Sequence, residues 1–259
     1  MRIYGIIIIM LMAAWAGFPE GDDMIENEVL DRVSIRVVYD NVAYDPSFQT
    51  GFGFACVIEG RSKEGKFQLL FDTGGDYRTL EKNLEQADVD IHELDAVVIS
   101  HNHFDHTGGL SGLKRRILDV PVYLPNGDLL RSSYRATNKP DRIGVGIYTT
   151  GLLGTAIREQ SLVLNTVKGL VVITGCAHPG IVHIVETVKE RFEGDIYLLM
   201  GGFHHPPASA AVRIRELGVA RAAPSHCTGN SGIDAFRSVF REDFIPSGVG
   251  MVITISAEE

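Results

Sequence analysis

The sequence contains few cysteines, with only Cys56, Cys176 and Cys227 among its 259 residues. Three scattered cysteines are too few for a disulfide-stabilised scaffold, and they are also too few for a four-cysteine zinc site. The class of small secreted disulfide-rich domains and the class of zinc fingers are therefore excluded.

Basic residues are also scarce relative to acidic ones. Lysine and arginine number 24 against 33 aspartate and glutamate residues, which gives a formal charge of -9. Because a protein that binds a phosphate backbone needs a basic face, we exclude nucleic acid as the main partner. Apolar residues make up 45% of the chain and charged residues 22%, so the chain is too apolar to be disordered and can bury a sizeable core.

Beyond its first twenty residues the sequence has no apolar run that could span a bilayer. Residues 3–18 carry no charge, Arg2 precedes them, and Ala14-Trp15-Ala16 forms a small-x-small cleavage site. This run is shorter than the ~20 residues that a spanning helix needs, so residues 1–19 are predicted to be a secretory signal peptide. We expect a periplasmic or extracellular protein. The alternatives are an uncleaved N-terminal anchor, which would be its one membrane contact, and a cytoplasmic protein in which this run is a buried strand.

Residues 30–259 are predicted to form one α/β domain of packed sheets with outer helices. Segments rich in β-branched and aromatic residues predict strands, and apolar spacings of three and four predict helices. The predicted strands are 34–40, 53–60, 66–72, 95–100, 160–165, 169–174, 196–200, 219–223 and 250–255. The predicted helices are 77–87, 181–192 and 209–217, with another beginning near residue 109. Residues 126–153 are the least regular stretch and are predicted to be a functional loop.

Histidines follow the ends of several predicted strands. Seven of the nine fall in four short segments: His101, His103 and His106; His178; His204 and His205; His226. Loops at the carboxyl ends of strands are where layered α/β folds bind ligands. In the densest segment His101, His103 and Asp105 are two residues apart, so an extended loop would direct them to one side. His106 would face a second point. Such nitrogen and oxygen donors suit zinc, iron or manganese, so the sequence predicts a metal site.

Residues 101–106 resemble the H-x-H-x-D-H signature of the metallo-β-lactamase-fold superfamily at every position. Residues 70–75 (LFDTGG) are similar to its early strand-end motif, 174–178 (TGCAH) to its third-ligand segment, and 224–226 (PSH) to its last-ligand segment. The segments EQSLVLNT, KGLVVITGCAHPGIVHIVE, GGFHH and SHCTG resemble one branch in particular. That branch includes archaeal 7,8-dihydropterin-6-methyl-4-(β-D-ribofuranosyl)aminobenzene-5'-phosphate synthases and uncharacterised bacterial relatives.

The resemblance implies a four-layer αββα sandwich with a two-metal site between its sheets. It implies two divalent ions, with zinc favoured and iron or manganese as alternatives. A hydroxide held between them would be the nucleophile, its pKa lowered from ~15.7 toward ~7, and Asp105 would help to orient it. The implied ligands of the first metal are His101, His103 and His178, and those of the second are Asp105, His106 and His226. Asp72 would hydrogen-bond a metal-bound histidine.

The sequence departs from the resemblance at the aspartate that bridges the metals in most dinuclear members. Between His178 and His226 the one aspartate is Asp195, which precedes the predicted strand 196–200 and so lies at its wrong end. His204 follows that strand and is the candidate for the bridging position, which is otherwise empty; His205 is a weaker candidate. A site with Asp105 as its single anionic ligand would favour anionic substrates.

Other polar residues have weaker signals. Cys176 is two residues from His178 and should face the same side, whereas Cys227 should face away from the site. Both are predicted to be small buried residues, and a disulfide between them is left open.

His92 and His183 are predicted to be surface or packing residues. The long loop carries Arg131, Arg135, Lys139 and Arg142, which either reach a substrate phosphate or form solvated surface.

The leading functional hypothesis is a metal-dependent hydrolase, or a transferase that processes phosphoryl esters or diphosphates, acting on a small anionic molecule. One alternative is an iron-dependent redox enzyme of the same fold, which iron content and oxygen consumption would distinguish. Another is a non-catalytic metal-binding module, which six intact ligand positions argue against. The sequence does not specify the oligomeric state.

Overall fold

The computed structural model describes residues 28–125 and 133–258. The predicted signal peptide, residues 1–19, and the candidate substrate residue Arg131 lie outside the described residues, so both remain predictions. Within those two ranges no helix has the length and apolar character needed to cross a membrane.

Two β-sheets form the centre of the described structure. The first has seven strands in the order β13-β1-β2-β3-β4-β5-β6, and the second has six in the order β12-β11-β10-β9-β8-β7. The strands of the first sheet are β1 (Arg32–Tyr39), β2 (Ala55–Ser62), β3 (Gly65–Phe71), β4 (Ala96–Val98), β5 (Val122–Leu124), β6 (Tyr134–Ala136) and β13 (Val252–Ser256). Those of the second are β7 (Asp141–Gly144), β8 (Ile147–Thr149), β9 (Leu162–Thr166), β10 (Gly169–Thr174), β11 (Ile196–Gly202) and β12 (Arg221–Ser225).

Helices cover the outer faces of both sheets. The α-helices of the described residues are α1 (Tyr77–Gln86), α2 (Phe104–Thr107), α3 (Leu110–Leu113), α4 (Ile181–Arg191), α5 (Ala208–Glu216) and α6 (Gly229–Phe240). Apolar residues of α1 and α3 pack on the first sheet, and those of α4, α5 and α6 pack on the second. The predicted αββα sandwich is confirmed.

Alternate residues of the inner strands face different cores. On β3, Phe71 lies between the sheets with Ile173 of β10 and Met200 of β11, whereas the preceding Leu70 packs under α1 beside Leu80. All four of these β-strand residues are fully buried. Because side chains of a strand alternate between its faces, a sheet covered on both sides needs apolar residues at every position. This explains the continuous apolar runs in the sequence.

The parallel parts of the sheets place their carboxyl ends at the site. Strands β3 and β4 are parallel and connected through α1. In the second sheet β10, β11 and β12 are parallel, with α4 and α5 as the crossing helices. Loops that leave the carboxyl ends of parallel strands meet at one edge, which is where such folds bind ligands.

Most predicted elements are confirmed to within a few residues, but the expectation for residues 126–153 is wrong in part. Strands β6, β7 and β8 lie in that stretch, and the chain passes from one sheet to the other between β6 and β7. Strand β5 and helix α6 were not predicted. The start of α6, Gly229-Asn-Ser-Gly, resembles a turn, although Phe236 and Phe240 have the helical spacing of four and are buried.

Candidate metal centre

The histidine segments and their supporting residues leave the carboxyl ends of five strands. Asp72 follows β3, and Ser100 and His101 follow β4. In the second sheet His178 follows β10, His204 follows β11, and His226 follows β12. Helix α2 begins directly after His103, so Asp105 is helical rather than on an extended loop as the spacing suggested. This turn directs Asp105 away from His101 and toward a second group of donors.

The first group of donors contains three imidazole nitrogens. Nε2 of His101 lies 3.1 Å from Nδ1 of His103 and 3.2 Å from Nε2 of His178. Burial, followed by the neighbouring imidazoles, lowers the pKa of His101 well below its usual value and that of His178 to about 4. The side chains of His101 and His178 are therefore neutral at physiological pH, and each has a nitrogen lone pair available to a cation.

The second group contains Asp105, His106, Cys176 and His226, whose donor atoms all lie within 4.8 Å of one another. Oδ2 of Asp105 is 3.3 Å from Nε2 of His226 and 3.7 Å from Nε2 of His106. Burial by itself would raise the pKa of Asp105, but the interactions with His226 and His106 outweigh it and lower that pKa. The carboxylate is thus the anionic member of this group.

The donor atoms are better placed to bind divalent cations than to form hydrogen bonds with one another. Nε2 of His101 contacts two imidazole nitrogens, although it carries one lone pair or one N–H and cannot form two good hydrogen bonds. Nε2 of His226 is buried without a well-directed hydrogen-bond partner among the described residues. A buried polar atom without a partner costs about 1–3 kcal/mol, which a coordinated ion would remove. Imidazoles with one carboxylate and one thiol are a donor set that zinc or iron accepts.

Asp72 fixes the orientation of His106. Its Oδ1 accepts the backbone N–H of Ser100 and its Oδ2 the hydroxyl of Ser100, both at 2.7 Å, and Oδ2 also lies 2.7 Å from Nδ1 of His106. Although burial lowers the pKa of His106, Asp72 outweighs it and raises that pKa. A proton held on Nδ1 leaves Nε2 directed at the second donor group, as expected for a ligand of a metal.

Gly175 allows this arrangement because it lies close to Ser100. A Cβ atom on Gly175 would lie 2.1 Å from Oγ of Ser100 and 3.1 Å from Oδ2 of Asp72. No larger residue fits without displacing the Ser100–Asp72 pair.

Asn41 plays the corresponding part for His226, and the sequence did not indicate it. Oδ1 of Asn41 lies 3.0 Å from Nδ1 of His226 and accepts the backbone N–H of Gly53 at 3.0 Å. The ring of His226 also lies beside Phe52, which is 58% exposed at the mouth of the site. Asn41 lies just after the end of β1, and no sequence pattern connects this single asparagine with a histidine 185 residues further along the chain.

Glu159 is the most extensively bonded residue that sequence reasoning missed. Its Oε1 accepts the backbone N–H groups of Gly175, Cys176 and Ala177 at 3.1, 2.8 and 2.9 Å, and its Oε2 accepts that of His178 at 2.9 Å. Burial raises the pKa of this carboxyl despite the four bonds. The carboxylate holds the third-ligand loop in place. The one sequence feature that could have drawn attention to Glu159 is its position directly before the predicted strand 160–165.

The site is also where left-handed backbone is concentrated. Seven non-glycine residues have positive φ among those described, and five of them belong to the site loops: Asp72, Ala177, His204, His205 and His226. Such conformations cost of order 1–3 kcal/mol each and persist where surrounding contacts impose them, typically at functional sites. The loops are therefore held in strained conformations by bonds such as those of Asp72 and Glu159.

The structure confirms the expected direction of Cys176 and contradicts the expectations for Cys227. Cys176 is buried and faces the side of His178, with its Sγ 3.2 Å from Nε2 of His106 rather than in the apolar core. Cys227 is only partly buried. Cys227 does not face away, because residues 226–228 form a 3₁₀ turn with φ of 49° at His226, so strand alternation does not apply. Both cysteines are free thiols.

His204 lies at the rim and is exposed. Its ring centroid is 4.2 Å from that of His178, and its donor nitrogen groups with the sulfurs of Cys176 and Cys227 rather than with Asp105. The bridging role suggested for His204 remains a prediction, and the position nearest both donor groups is that of Cys176. His205 is likewise exposed, as are His92 and His183, which confirms the surface prediction for the last two.

The basic residues of the long loop are dispersed. Arg135 is exposed on β6 and donates to the carbonyl of Tyr134, and Lys139 is exposed before β7. Arg142 is paired with Glu28, at 2.6 Å between Nη2 and Oε1. The substrate-binding roles of Arg135 and Lys139 remain predictions.

We expect Asp72→Ala to reduce activity and metal affinity by roughly 10–100-fold, the range typical of a group that orients a metal ligand without binding the metal. Metal content measured at saturating metal should be retained, because the donor atoms remain. Asp119→Ala, which removes an exposed carboxylate far from these bonds, is the control and should leave both quantities unchanged. Unchanged affinity in the Asp72 variant would contradict the assigned role.

The fold and the donor groups together define an αββα protein with a candidate metal centre at the carboxyl ends of its strands. A family model described as the metallo-beta-lactamase superfamily matches residues 50–236. The chain therefore belongs to the metallo-β-lactamase superfamily, as residues 101–106 indicated.

Individual relatives are similar along most of the chain. A 7,8-dihydropterin-6-methyl-4-(beta-D-ribofuranosyl)-aminobenzene-5'-phosphate synthase of Methanocaldococcus jannaschii is 27% identical, over 86% of this chain and 97% of that protein. The crystal structure of Tm1679, described as a metal-dependent hydrolase of the beta-lactamase superfamily, has a TM-score of 0.70 and 25% identity, over 86% of this chain and 99% of that chain. YhfI from Bacillus subtilis has the same fold, with a TM-score of 0.61 and 16% identity, over 86% of this chain and 99% of that chain.

Proposed function

We propose that the protein is a metal-dependent hydrolase, or a transferase that processes phosphoryl esters or diphosphates, acting on a small anionic substrate. The observation that carries the proposal is the convergence of two adjacent donor groups, one of three imidazoles and one that includes Asp105. Two neighbouring cation positions are the arrangement that enzymes use to cleave phosphate esters and carboxylic derivatives. Zinc is the cation that we propose for both, with iron or manganese as alternatives.

Divalent cations at these positions would polarise the scissile group and make water a nucleophile near neutral pH. The side chains would hold and orient them. His101, His103 and His178 would hold the first cation, and Asp105, His106 and His226 the second. Asp72 keeps the proton of His106 on Nδ1, and Asn41 fixes the ring of His226. Because Glu159 and Asp72 are fully bonded to the loops, the donors need little rearrangement on binding a cation.

Two observations support an anionic substrate. Apart from Asp105 and Cys176 the candidate ligands are imidazoles, which supply no negative charge, so two divalent cations would leave excess positive charge at the site. The relative from Methanocaldococcus jannaschii is named as a synthase of a 5'-phosphate compound. We further propose that Arg131, Arg135 or Lys139 contacts the substrate phosphate.

The test is metal analysis of protein purified without added metal, combined with a screen of phosphomonoesters, phosphodiesters, lactones and thioesters. We expect two divalent ions per chain and hydrolysis of a phosphate ester that a chelator abolishes and added zinc restores. The matched control is His183→Ala, which alters an exposed helix histidine and should keep full activity. Iron content with oxygen consumption and no hydrolysis would instead indicate a redox enzyme.

We also propose that the protein is exported and that its mature chain starts near Gly17, since Ala14-Trp15-Ala16 is the one suitable cleavage site beside the apolar run. N-terminal sequencing of protein recovered outside the cytoplasm checks this expectation. Recovery of a cytoplasmic product with Met1 intact would contradict it.

A further inference from the structure

We propose that Cys176 is a metal ligand shared by the two cation positions. The inference rests on the proposed metal-dependent function and specifies how the site is built.

The position of the Cys176 sulfur is the first support. Cys176 belongs to each of the three sets of candidate donors found in the described part of the chain. These sets join it with Asp105, His106 and His226, with His101 and His178, and with His204 and Cys227. Its Sγ lies within 4.8 Å of the donor atoms of His101 and His178, and it also belongs to the group of His106 and His226. The sulfur is therefore placed between the donors of the first cation and those of the second.

The direction of the Cys176 side chain is fixed by the loop around it. The residue is 3% exposed, and its backbone N–H donates to Oε1 of Glu159 at 2.8 Å. The next residue, Ala177, has φ of 61°, a left-handed conformation that the neighbouring N–H bonds to Glu159 hold in place. A cysteine needed only for packing would not require a strained loop that directs its sulfur 3.2 Å from Nε2 of His106.

Independent support comes from the donors that face Cys176. His226 is 7% exposed, and its Nε2 is directed into the same group without a well-directed hydrogen-bond partner among the described residues. Asp105 is the single carboxylate in the three groups. A thiolate at Cys176 would supply the second anion, lower the excess positive charge by one unit, and still leave the site cationic.

Coordination by Cys176 forms sulfur–metal bonds and releases the thiol proton to solvent. A thiolate is a soft donor, so it favours zinc or iron over magnesium, calcium or manganese. Cys227 is the alternative source of a thiolate, but its sulfur accepts the N–H of His204 at 3.3 Å and donates to the carbonyl of Cys176. Its sulfur shares a donor group with Cys176 and His204 but not with Asp105 or His101, so it is not placed between the two cation positions.

The experiment is reconstitution of the metal-free full-length protein with Co²⁺ in the presence of a phosphine reductant. We expect two Co²⁺ ions per chain and a near-ultraviolet thiolate-to-cobalt charge-transfer band. Cys176→Ser should lose the band and weaken Co²⁺ binding by more than about 100-fold, beyond the effect of a group that merely orients a ligand. The matched controls Cys227→Ser and His204→Ala should keep the band.

A measurement on the unaltered protein avoids dependence on the folding of the variant. Iodoacetamide labelling followed by mass spectrometry should modify Cys176 in the metal-free protein at least tenfold faster than in the Co²⁺ form. Equal labelling rates, or two bound Co²⁺ ions without a charge-transfer band, would overturn this inference while leaving the proposed function intact. A band lost in Cys227→Ser but kept in Cys176→Ser would also overturn it. Failure of the unaltered protein to bind any metal would overturn both proposals.

Discussion

His103→Ala should lower hydrolytic activity by at least about 1000-fold, beyond the 10–100-fold effect of residues that only orient a ligand. The reason is that Nδ1 of His103 is one of three imidazole nitrogens of the first donor group, 3.1 Å from Nε2 of His101. Removal of one donor from three leaves too few protein ligands for the first cation. Metal analysis should show that this cation is lost first.

The fold of this variant should be unaffected. His103 is exposed, and although it occupies the N-cap position of α2, its side chain makes no capping hydrogen bond. Its free energy of unfolding, measured without metal, should therefore stay within about 0.5 kcal/mol of the parent value. His92→Ala removes another exposed histidine and serves as the control for activity. Full activity and metal content in purified His103→Ala protein would refute the assigned site.

Glu159→Ala should be the most destabilising single substitution at the site. It removes the acceptor of four buried backbone N–H groups, those of residues 175–178. A buried N–H that loses its acceptor costs about 1–3 kcal/mol, and four lose theirs together, so we expect the free energy of unfolding to fall by at least about 3 kcal/mol. Metal affinity should fall as well, because the loop that carries Cys176 and His178 loses its support. Denaturant unfolding of the metal-free protein measures the first effect, and metal titration the second.

Two further variants separate the network from a general effect of charge. Glu159→Gln keeps an acceptor for the bonds at Oε1 but places an amide N–H against that of His178, so we expect a smaller loss of about 1–3 kcal/mol. Glu190→Ala removes an exposed carboxylate at the end of α4 and should change stability by less than about 0.5 kcal/mol. If Glu159→Ala and Glu190→Ala were equally stable, the carboxylate would not support the loop.

Local sequence determined the layered fold and the main donors. Apolar runs such as Val97-Val98-Ile99 specify strands buried on both faces, and this fixes where the next polar residues emerge. The six residues from His101 to His106 place four candidate donors directly after such a strand, so their chemistry and spacing predict a metal site. Their division into two groups depends on helix α2, which the spacing did not indicate. Helix α6 was missed because its first residues favour a turn, and its burial against α5 is what makes it helical.

Tertiary structure decided which of the remaining residues belong to the site and where they point. Sequence spacing gives the direction of a side chain only where the backbone is periodic, and Ala177 and His226 have left-handed backbone that breaks the periodicity. For this reason Cys227 turned toward the site loops instead of away from them. Glu159 is hydrogen-bonded to His178, 19 residues away in the chain, and Asn41 to His226, 185 residues away. Such partners are selected by the packing of the two sheets, because a buried N–H or imidazole must be satisfied by whichever acceptor the fold brings beside it.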